Sequence, residues 1–265
     1  MNSFNILVVE GNLREENQSF SKVGIKTHTE SLKESLNYYV DNLNLDVVNP
    51  SSDKNFESII EKLSNYDGLI WGGSSLNIYN NTTEIKKQIE FMRECQKRVR
   101  NILAICWGMQ VAVTAAGGVV KKAASSHIGI ANHIRISVEG LKHPIYKNKK
   151  DNFNSPAFNF DEVVTLPKNG ICLASNKINK IQSIYFTVGD TKIWGLQYHP
   201  EITYEKMISL IEFRKKRLID KRKVFKSEDE IKNHIAFIKD EIAVSNKSQR
   251  MVELKNWLDN IKFYN

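Results

Sequence analysis

The sequence predicts an α/β fold, a doubly wound and mostly parallel sheet with helices on both faces, followed by a C-terminal helical extension. Strand-length apolar runs alternate along the chain with stretches in which apolar residues recur every three or four positions. That alternation favours parallel strands joined by helices. After residue 202 the strand-like runs stop and only helical spacing remains.

Phe4 to Val9 opens the sheet. The polar stretch Glu10 to Lys26 is too long for an ordinary strand-to-helix turn, so a flap is expected at the strand's carboxyl end, where ligands sit in such sheets. Thr27 with Glu30 has the spacing of a capping box for a helix carrying Leu32, Leu36, Tyr39 and Val40. Leu45 to Val48 reads as a second strand, Phe56, Ile59, Ile60 and Leu63 as a helix, and Asp67 to Trp71 as a third strand. Ile85, Ile89 and Met92 mark the helix leading to the strand Ile102 to Ile105. Met109 to Ala116 forms the next helix, and Gly117 and Gly118 close it. Further strands are expected at Ile134 to Val138, Val163 to Pro167, Gly170 to Ala174, Ile181 to Val188 and Lys192 to Tyr198. The segment His143 to Phe160 reads as an irregular rim. Beyond it, Met207 to Ile211, Ile231 to Ile242 and Met251 to Ile261 have helical spacing, with Trp257 packing the last helix back onto the body.

The 265 residues, 41% apolar and 26% charged, are ordinary for a globular chain with a proper core. No apolar stretch approaches the twenty residues of a membrane span, and Phe4 to Val9 lacks a basic leader. Cys95, Cys106 and Cys172 share no metal-ligand spacing and leave an odd thiol in any pairing scheme, which suits a reducing cytoplasm. The net charge of +8 is concentrated in Arg214 to Arg217 and Lys221 to Lys223, without interleaved aromatics. A solvated helix face is the expectation there, with no nucleic-acid partner. Docking to an acidic protein is the alternative.

The most informative stretch is Ala104-Ile105-Cys106-Trp107-Gly108-Met109-Gln110, a strand, a sharp turn and a helix. This is the pattern of a nucleophile elbow, with a cysteine pushed out at a helix N-terminus, where unpaired N–H groups and the helix dipole favour a thiolate. Ala104 and Gly108 keep the strand and helix close. A buried strand-end cysteine would read the same way in isolation. Gly195-Leu196-Gln197-Tyr198-His199-Pro200-Glu201 adds a histidine and a carboxylate two residues apart, on one side of a strand if the period of two continues. Cysteine, imidazole and carboxylate are the parts of an activated nucleophile.

Cys-Trp-Gly-Met-Gln with a distant Tyr-His-Pro-Glu resembles the class I (triad) glutamine amidotransferases, and most nearly the glutaminase domain of GMP synthases and its stand-alone relatives. The resemblance covers residues 1–202 and implies the flavodoxin-like fold of that family, with residues 203–265 as a helical extension packed on the same domain. It implies Cys106 as nucleophile, His199 as acid and base, and Glu201 as its orienting partner. Gly72-Gly73-Ser74-Ser75 falls where the family carries Gly-Gly-Pro-x-Ser, so the N–H groups of Gly73 and Trp107 become the oxyanion donors. Gly72 and Gln110 become substrate contacts. Phe158 to Asp161 fall where many relatives carry Ser-His-Gly-Asp, whose backbone meets the amino-acid end of glutamine, and this adds Asn159 and Phe160. His127 and His133 match no family position.

The implied activity is hydrolysis of the glutamine side-chain amide through a cysteine thioester, without metal or cofactor, with ammonia supplied to a synthetase on a separate chain. Two alternatives stay open. One is a stand-alone hydrolase or transferase acting on another γ-glutamyl compound; the other is a low-activity binding or regulatory module.

Overall fold

Among the described residues nine strands, numbered along the chain, form one sheet in the order 2-1-3-4-9-8-7-5-6. The computed structural model describes residues 4–53 and 57–262; Phe56 lies outside them. The strands are β1 (Phe4–Val9), β2 (Leu43–Val48), β3 (Gly68–Trp71), β4 (Asn101–Ile105), β5 (Val119–Ile136), β6 (Asn152–Thr165), β7 (Ile171–Ser175), β8 (Ser183–Val188) and β9 (Thr191–Leu196). From β2 to β9 every pairing is parallel, and from β9 to β6 every pairing is antiparallel.

The helices are α1 (Arg14–Lys22), α2 (His28–Asn37), α3 (Glu57–Lys62), α4 (Thr83–Arg98), α5 (Trp107–Ala115), α6 (Val138–Lys142), α7 (Tyr204–Lys216), α8 (Glu228–Val244), α9 (Lys247–Arg250) and α10 (Val252–Lys262). A π-helical turn, Arg217–Lys221, continues α7.

The two faces of the parallel half carry separate cores, as the alternation of side chains along a strand requires. Leu7, Val9, Leu69, Trp71, Ile102 and Ala104 turn toward α4 and α5, whose Phe91, Met92, Met109 and Val113 cover them. Ile6, Val8, Ile70, Leu103 and Ile105 turn the other way, toward Leu32 and Leu36 of α2 and Leu254, Trp257 and Leu258 of α10. Trp257 is fully buried and its ring occupies the space beside Gly68, 2.6 Å from where a Cβ would sit. The last helix therefore completes the main core. Helices α7 and α8 cover a different surface, Ile128 and Ile130 of β5, through Ile211, Ile235 and Ile238.

The capping box forms as the spacing predicts, Thr27 accepting from the Glu30 amide while Glu30 accepts from the Thr27 amide. Helix α2 ends earlier than its apolar spacing suggests, with Tyr39 and Val40 beyond it. Three segments differ more. Glu10 to Lys26 is not an open flap: α1 forms inside it, because Phe20 anchors its inner face against Ile202, Met207 and Leu210. The strand expected at Ile134 to Val138 is the end of the longer β5, and Val138 starts α6, with Ser137 accepting from the Gly140 amide as its cap. The second half of the rim expected over 143–160 is the start of β6, in which buried Asn159 and Asp161 alternate with the partly exposed Phe158 and Phe160 along its antiparallel pairing with β5.

Candidate active site

Strand β4 delivers Cys106 to the start of α5 in a conformation that side chains rarely adopt, φ 54° and ψ −103°. The surroundings hold it there. The Cys106 amide donates to the Leu196 carbonyl at 2.6 Å, the Cys106 carbonyl accepts from the Gln110 amide at 3.1 Å, and the Gly108 amide donates to the Gly72 carbonyl at 3.2 Å. Gly108 has to be glycine, since a Cβ would lie 2.4 Å from the Trp71 carbonyl oxygen.

Strand β9 ends at Leu196, so His199 and Glu201 sit on the turn beyond it and not within the strand. Pro200 has no N–H for a ladder, so the period-of-two reading of this pair does not apply. The turn itself brings the two side chains together. His199 Nδ1 lies 2.7 Å from Glu201 Oε1, both side chains 2% exposed. The His199 amide donates to the Pro156 carbonyl at 2.7 Å, and Arg250 reaches the carbonyls of Pro200 and Ile202. Burial alone would disfavour a charged imidazole. The Glu201 carboxylate and the nearby Cys106 sulfur outweigh it and push the His199 pKa up to about 10. Imidazole and carboxylate are thus hydrogen-bonded, with the Cys106 sulfur near enough to favour the charged imidazole.

Gly73 lies against the histidine: a Cβ there would be 2.8 Å from His199 Cε1 and 2.9 Å from His28 Cε1. Trp107 is the first residue of α5, where helical N–H groups have no partner within the helix. Trp107 thus follows Cys106 directly, and Gly73 lies against the imidazole. The loop lacks the proline of the family pattern, and side chains hold it instead. The Ser75 amide donates to Asn12 Oδ1 at 2.9 Å, Ser75 Oγ donates to Glu16 Oε1 at 2.7 Å, and Arg214 donates to both Ser75 Oγ and Glu16 Oε1. Gly72 plays a different part, bonding β1 through its amide to the Val9 carbonyl at 3.2 Å and the elbow through its carbonyl.

Four further residues are visible only in three dimensions. His28, in the first turn of α2, stacks on His199 with ring centroids 5.4 Å apart and planes at 20°. Burial, then the nearby Lys206, holds it well below the usual histidine range and therefore neutral. Among the described residues His28, His199 and Glu201 are the one His, Cys or carboxylate group compact enough to surround a metal ion. Stacked, near-parallel rings hold their in-plane lone pairs in separate planes, however, and His199 Nδ1 is already engaged by Glu201. Gln197 bridges Gln110 and the nucleophile position, accepting from Gln110 Nε2 at 3.3 Å and donating to Cys106 Sγ at 3.5 Å. Gln88 accepts from the Trp107 indole at 2.6 Å and donates to the Gly11 carbonyl at 3.0 Å. Arg214 is the fourth.

A narrow cleft opens at Cys106. Trp107 and Gln110 of the elbow line it, as do Asn159 and Phe160 of β6 and Arg214, Arg217 and Arg222 of the extension. The basic segment expected to be a solvated face is thus divided. Lys216 is exposed, but the Arg214 side chain is only 12% exposed and the Arg222 guanidinium stacks 4.3 Å over the Phe160 ring. Aromatic faces of β6 bring two of the arginines inward, Phe158 under Arg214 and Phe160 under Arg222, while Arg217 is exposed. Of the unmatched histidines, His127 is buried beside Gln182 and Asn176, and His133 is exposed. Cys95 is buried and Cys172 half-buried, and both are free thiols.

The fold and the strained cysteine before a helix define an α/β protein of the elbow type, and sequence comparison identifies the family. The class-I glutamine amidotransferase family matches residues 26–215, and the chain belongs to it. The chain is similar to a γ-glutamyl-L-1-hydroxyisopropylamide hydrolase of a Pseudomonas species, 29% identical over 207 residues, which is 77% of this chain and 69% of the other. It is also similar to a glutamine-hydrolysing GMP synthase subunit of Methanosphaera stadtmanae, 30% identical over 55% of this chain and 70% of that protein. Against the undivided GMP synthase of Thermotoga maritima (strain MSB8) the match covers 68% of this chain but 33% of that protein. A glutamine amidotransferase structure from Thermotoga maritima has the same fold, with a TM-score of 0.66 over 98% of this chain and 99% of that one at 16% identity. No helix among the described residues is long and apolar enough to cross a membrane.

Proposed function

We propose that the protein hydrolyses a γ-glutamyl amide, glutamine being the simplest, through a thioester on Cys106. The sulfur attacks the γ-carbonyl carbon, and the N–H groups of Gly73 and Trp107 receive the developing oxyanion. The C–N bond breaks as His199 passes its proton to the departing nitrogen, leaving the γ-glutamyl thioester. Water then attacks the thioester, His199 takes its proton, the C–S bond breaks, and glutamate leaves. Glu201 keeps His199 oriented and favours its charged form. The observation that supports this reading is the buried, hydrogen-bonded His199–Glu201 pair beside the strained Cys106 at the elbow.

In this reading the released amine is ammonia, passed to a synthetase on a separate chain, and the similarity to the Methanosphaera GMP synthase subunit supports it. The similarity to the Pseudomonas hydrolase supports a second reading, in which the amine is larger and no synthetase takes part. Glutamate release from glutamine and from a panel of γ-glutamyl amides, with wild type and Cys106→Ala, tests both. Glutamine turnover that rises when a copurifying synthetase chain is added supports the first. A high rate on a substituted amide, independent of any other chain, supports the second. No labelling of Cys106 by a glutamine-like electrophile, and no turnover of any amide, would leave a binding module on this fold.

A further inference from the structure

We propose that Arg250 and Glu253, at the junction of α9 and α10, are positioning residues for the reaction, holding the turn that carries His199 and Glu201. This rests on the hydrolase reading above and goes beyond it, since both residues lie outside 26–215, the part of the chain matched by the family. Residues 197–203 belong to neither a strand nor a helix, so their backbone groups lack a ladder or a helical turn to pair with and must bond elsewhere. Three successive carbonyls do so through side chains. Arg250 Nη1 donates to the Pro200 carbonyl and, at 2.6 Å, to the Ile202 carbonyl; Ser35 Oγ donates to the Glu201 carbonyl between them at 2.9 Å. One guanidinium nitrogen thus bridges the residues on either side of Glu201 and fixes the peptide units from which its carboxylate projects.

The residue before His199 is held from the same segment. Tyr198 is fully buried, and its hydroxyl donates to Glu253 Oε1 at 2.7 Å. Lys149 Nζ supplies the counter-charge at Glu253 Oε2, 3.0 Å away, and the Tyr146 hydroxyl lies 2.8 Å from that of Tyr198. Glu253 is itself fully buried, in a helix whose Leu254, Trp257 and Leu258 fill the core. A buried ion pair gives little net stability over an apolar residue of similar size, because desolvation offsets the attraction. What the carboxylate adds here is a fixed acceptor for Tyr198. Lys149 Nζ also donates to the Gln249 carbonyl at 2.7 Å, so the bonds to Tyr198, Pro200 and Ile202 issue from one braced segment. His199 is thus gripped on both sides, by Glu253 through Tyr198 and by Arg250 through Pro200.

The test measures kcat and KM on glutamine, or on the best amide from the panel, per active site. Sites are counted by labelling Cys106 to completion with a glutamine-like electrophile, so that unfolded molecules drop out. Arg250→Met is expected to lower kcat about 10- to 100-fold, the cost of a small misplacement of a reacting group, with KM within a few-fold. Arg250→Lys, which keeps the charge but reaches one carbonyl at a time, should recover part of that loss. Tyr198→Phe, which leaves Lys149 and Glu253 paired, should lower kcat about 3- to 10-fold. Lys255→Gln, exposed on the same helix, should behave as wild type. Because Arg250 acts through Glu201, adding Arg250→Met to Glu201→Gln should cost at most about 2-fold more. Losses that multiply in the double variant, or a kcat per site that is unchanged while only Tm falls, would overturn the assignment. A wild type that turns over none of the amides would instead sink the hydrolase reading and the assignment with it, which is a distinct result.

Discussion

Two linings of the cleft, the elbow and the arginines after α7, are built on different principles. The elbow wall is made by backbone: a strained cysteine, a glycine that admits Trp71, another that admits two imidazoles, and helical N–H groups at a fixed spot. The arginine wall is made by long side chains from a turn of the extension, held by stacking and by one ion pair. Backbone geometry tolerates almost no substitution, whereas side-chain recognition can be retuned without disturbing the fold. Chemistry should therefore fail abruptly when the first wall is altered, and selectivity should drift when the second is.

The sharpest break comes from the elbow. Cys106→Ala should remove turnover by about 10,000-fold or more, as loss of a nucleophile does, with the far-UV circular dichroism spectrum intact. Gly73→Ala should lower kcat by about 100- to 1,000-fold with little change in KM, because its Cβ would meet His199 Cε1 at 2.8 Å and displace the peptide meant for the oxyanion. Retained activity in Gly73→Ala would show that the oxyanion is held elsewhere. Arg222 substitutions, on the arginine wall, should instead act on KM.

The same division explains what could be read in advance. Strand positions, the elbow and the His-x-Glu pair are local patterns, and the parallel half of the sheet carries them in runs that are apolar on both faces. The capping box at Thr27 and the docking of Trp257 were legible for the same reason, each being a short spacing with one structural outcome. Other features depend on partners far along the chain. Whether Arg214 is solvated is decided by Phe20 and Phe158, and whether Glu10 to Lys26 folds is decided by Ile202 and Met207. His28 shows the limit most plainly. It looks like an ordinary first-turn residue until α2 lays it on His199.

The elbow wall can be sharpened through pH. The His199 pKa is raised from 6.5 to about 10 in the folded protein, so the protonated imidazole stabilises the fold. That contribution is fully present below about pH 6.5 and is lost as pH rises through about 10. Wild type should therefore lose thermal stability between these limits more steeply than His199→Gln, by several degrees in Tm. Glu201→Gln, which removes one of the attractions on the imidazolium, should shift that loss to lower pH. Parallel Tm-against-pH curves for the three proteins would show that no such charge is stored at the site.

The smallest expected effect lies where the walls meet. Glu16 accepts from both Ser75 and Arg214, so it ties the glycine loop of the elbow wall to the arginine wall. Glu16→Gln keeps the size of the side chain but gives up the charge, weakening the Arg214 bond and leaving its guanidinium without a counter-charge. Ser75 retains its amide bond to Asn12, so the loop should loosen without collapsing. The expected outcome is a fall in kcat of about 3- to 10-fold, the worth of one partly exposed charged hydrogen bond, with Tm changed by only a few degrees. KM should hold within a few-fold, because the loss acts on the oxyanion loop and not on recognition. A rise in KM at unchanged kcat would instead assign Glu16 to the arginine wall alone, and the two walls would then be mechanically independent.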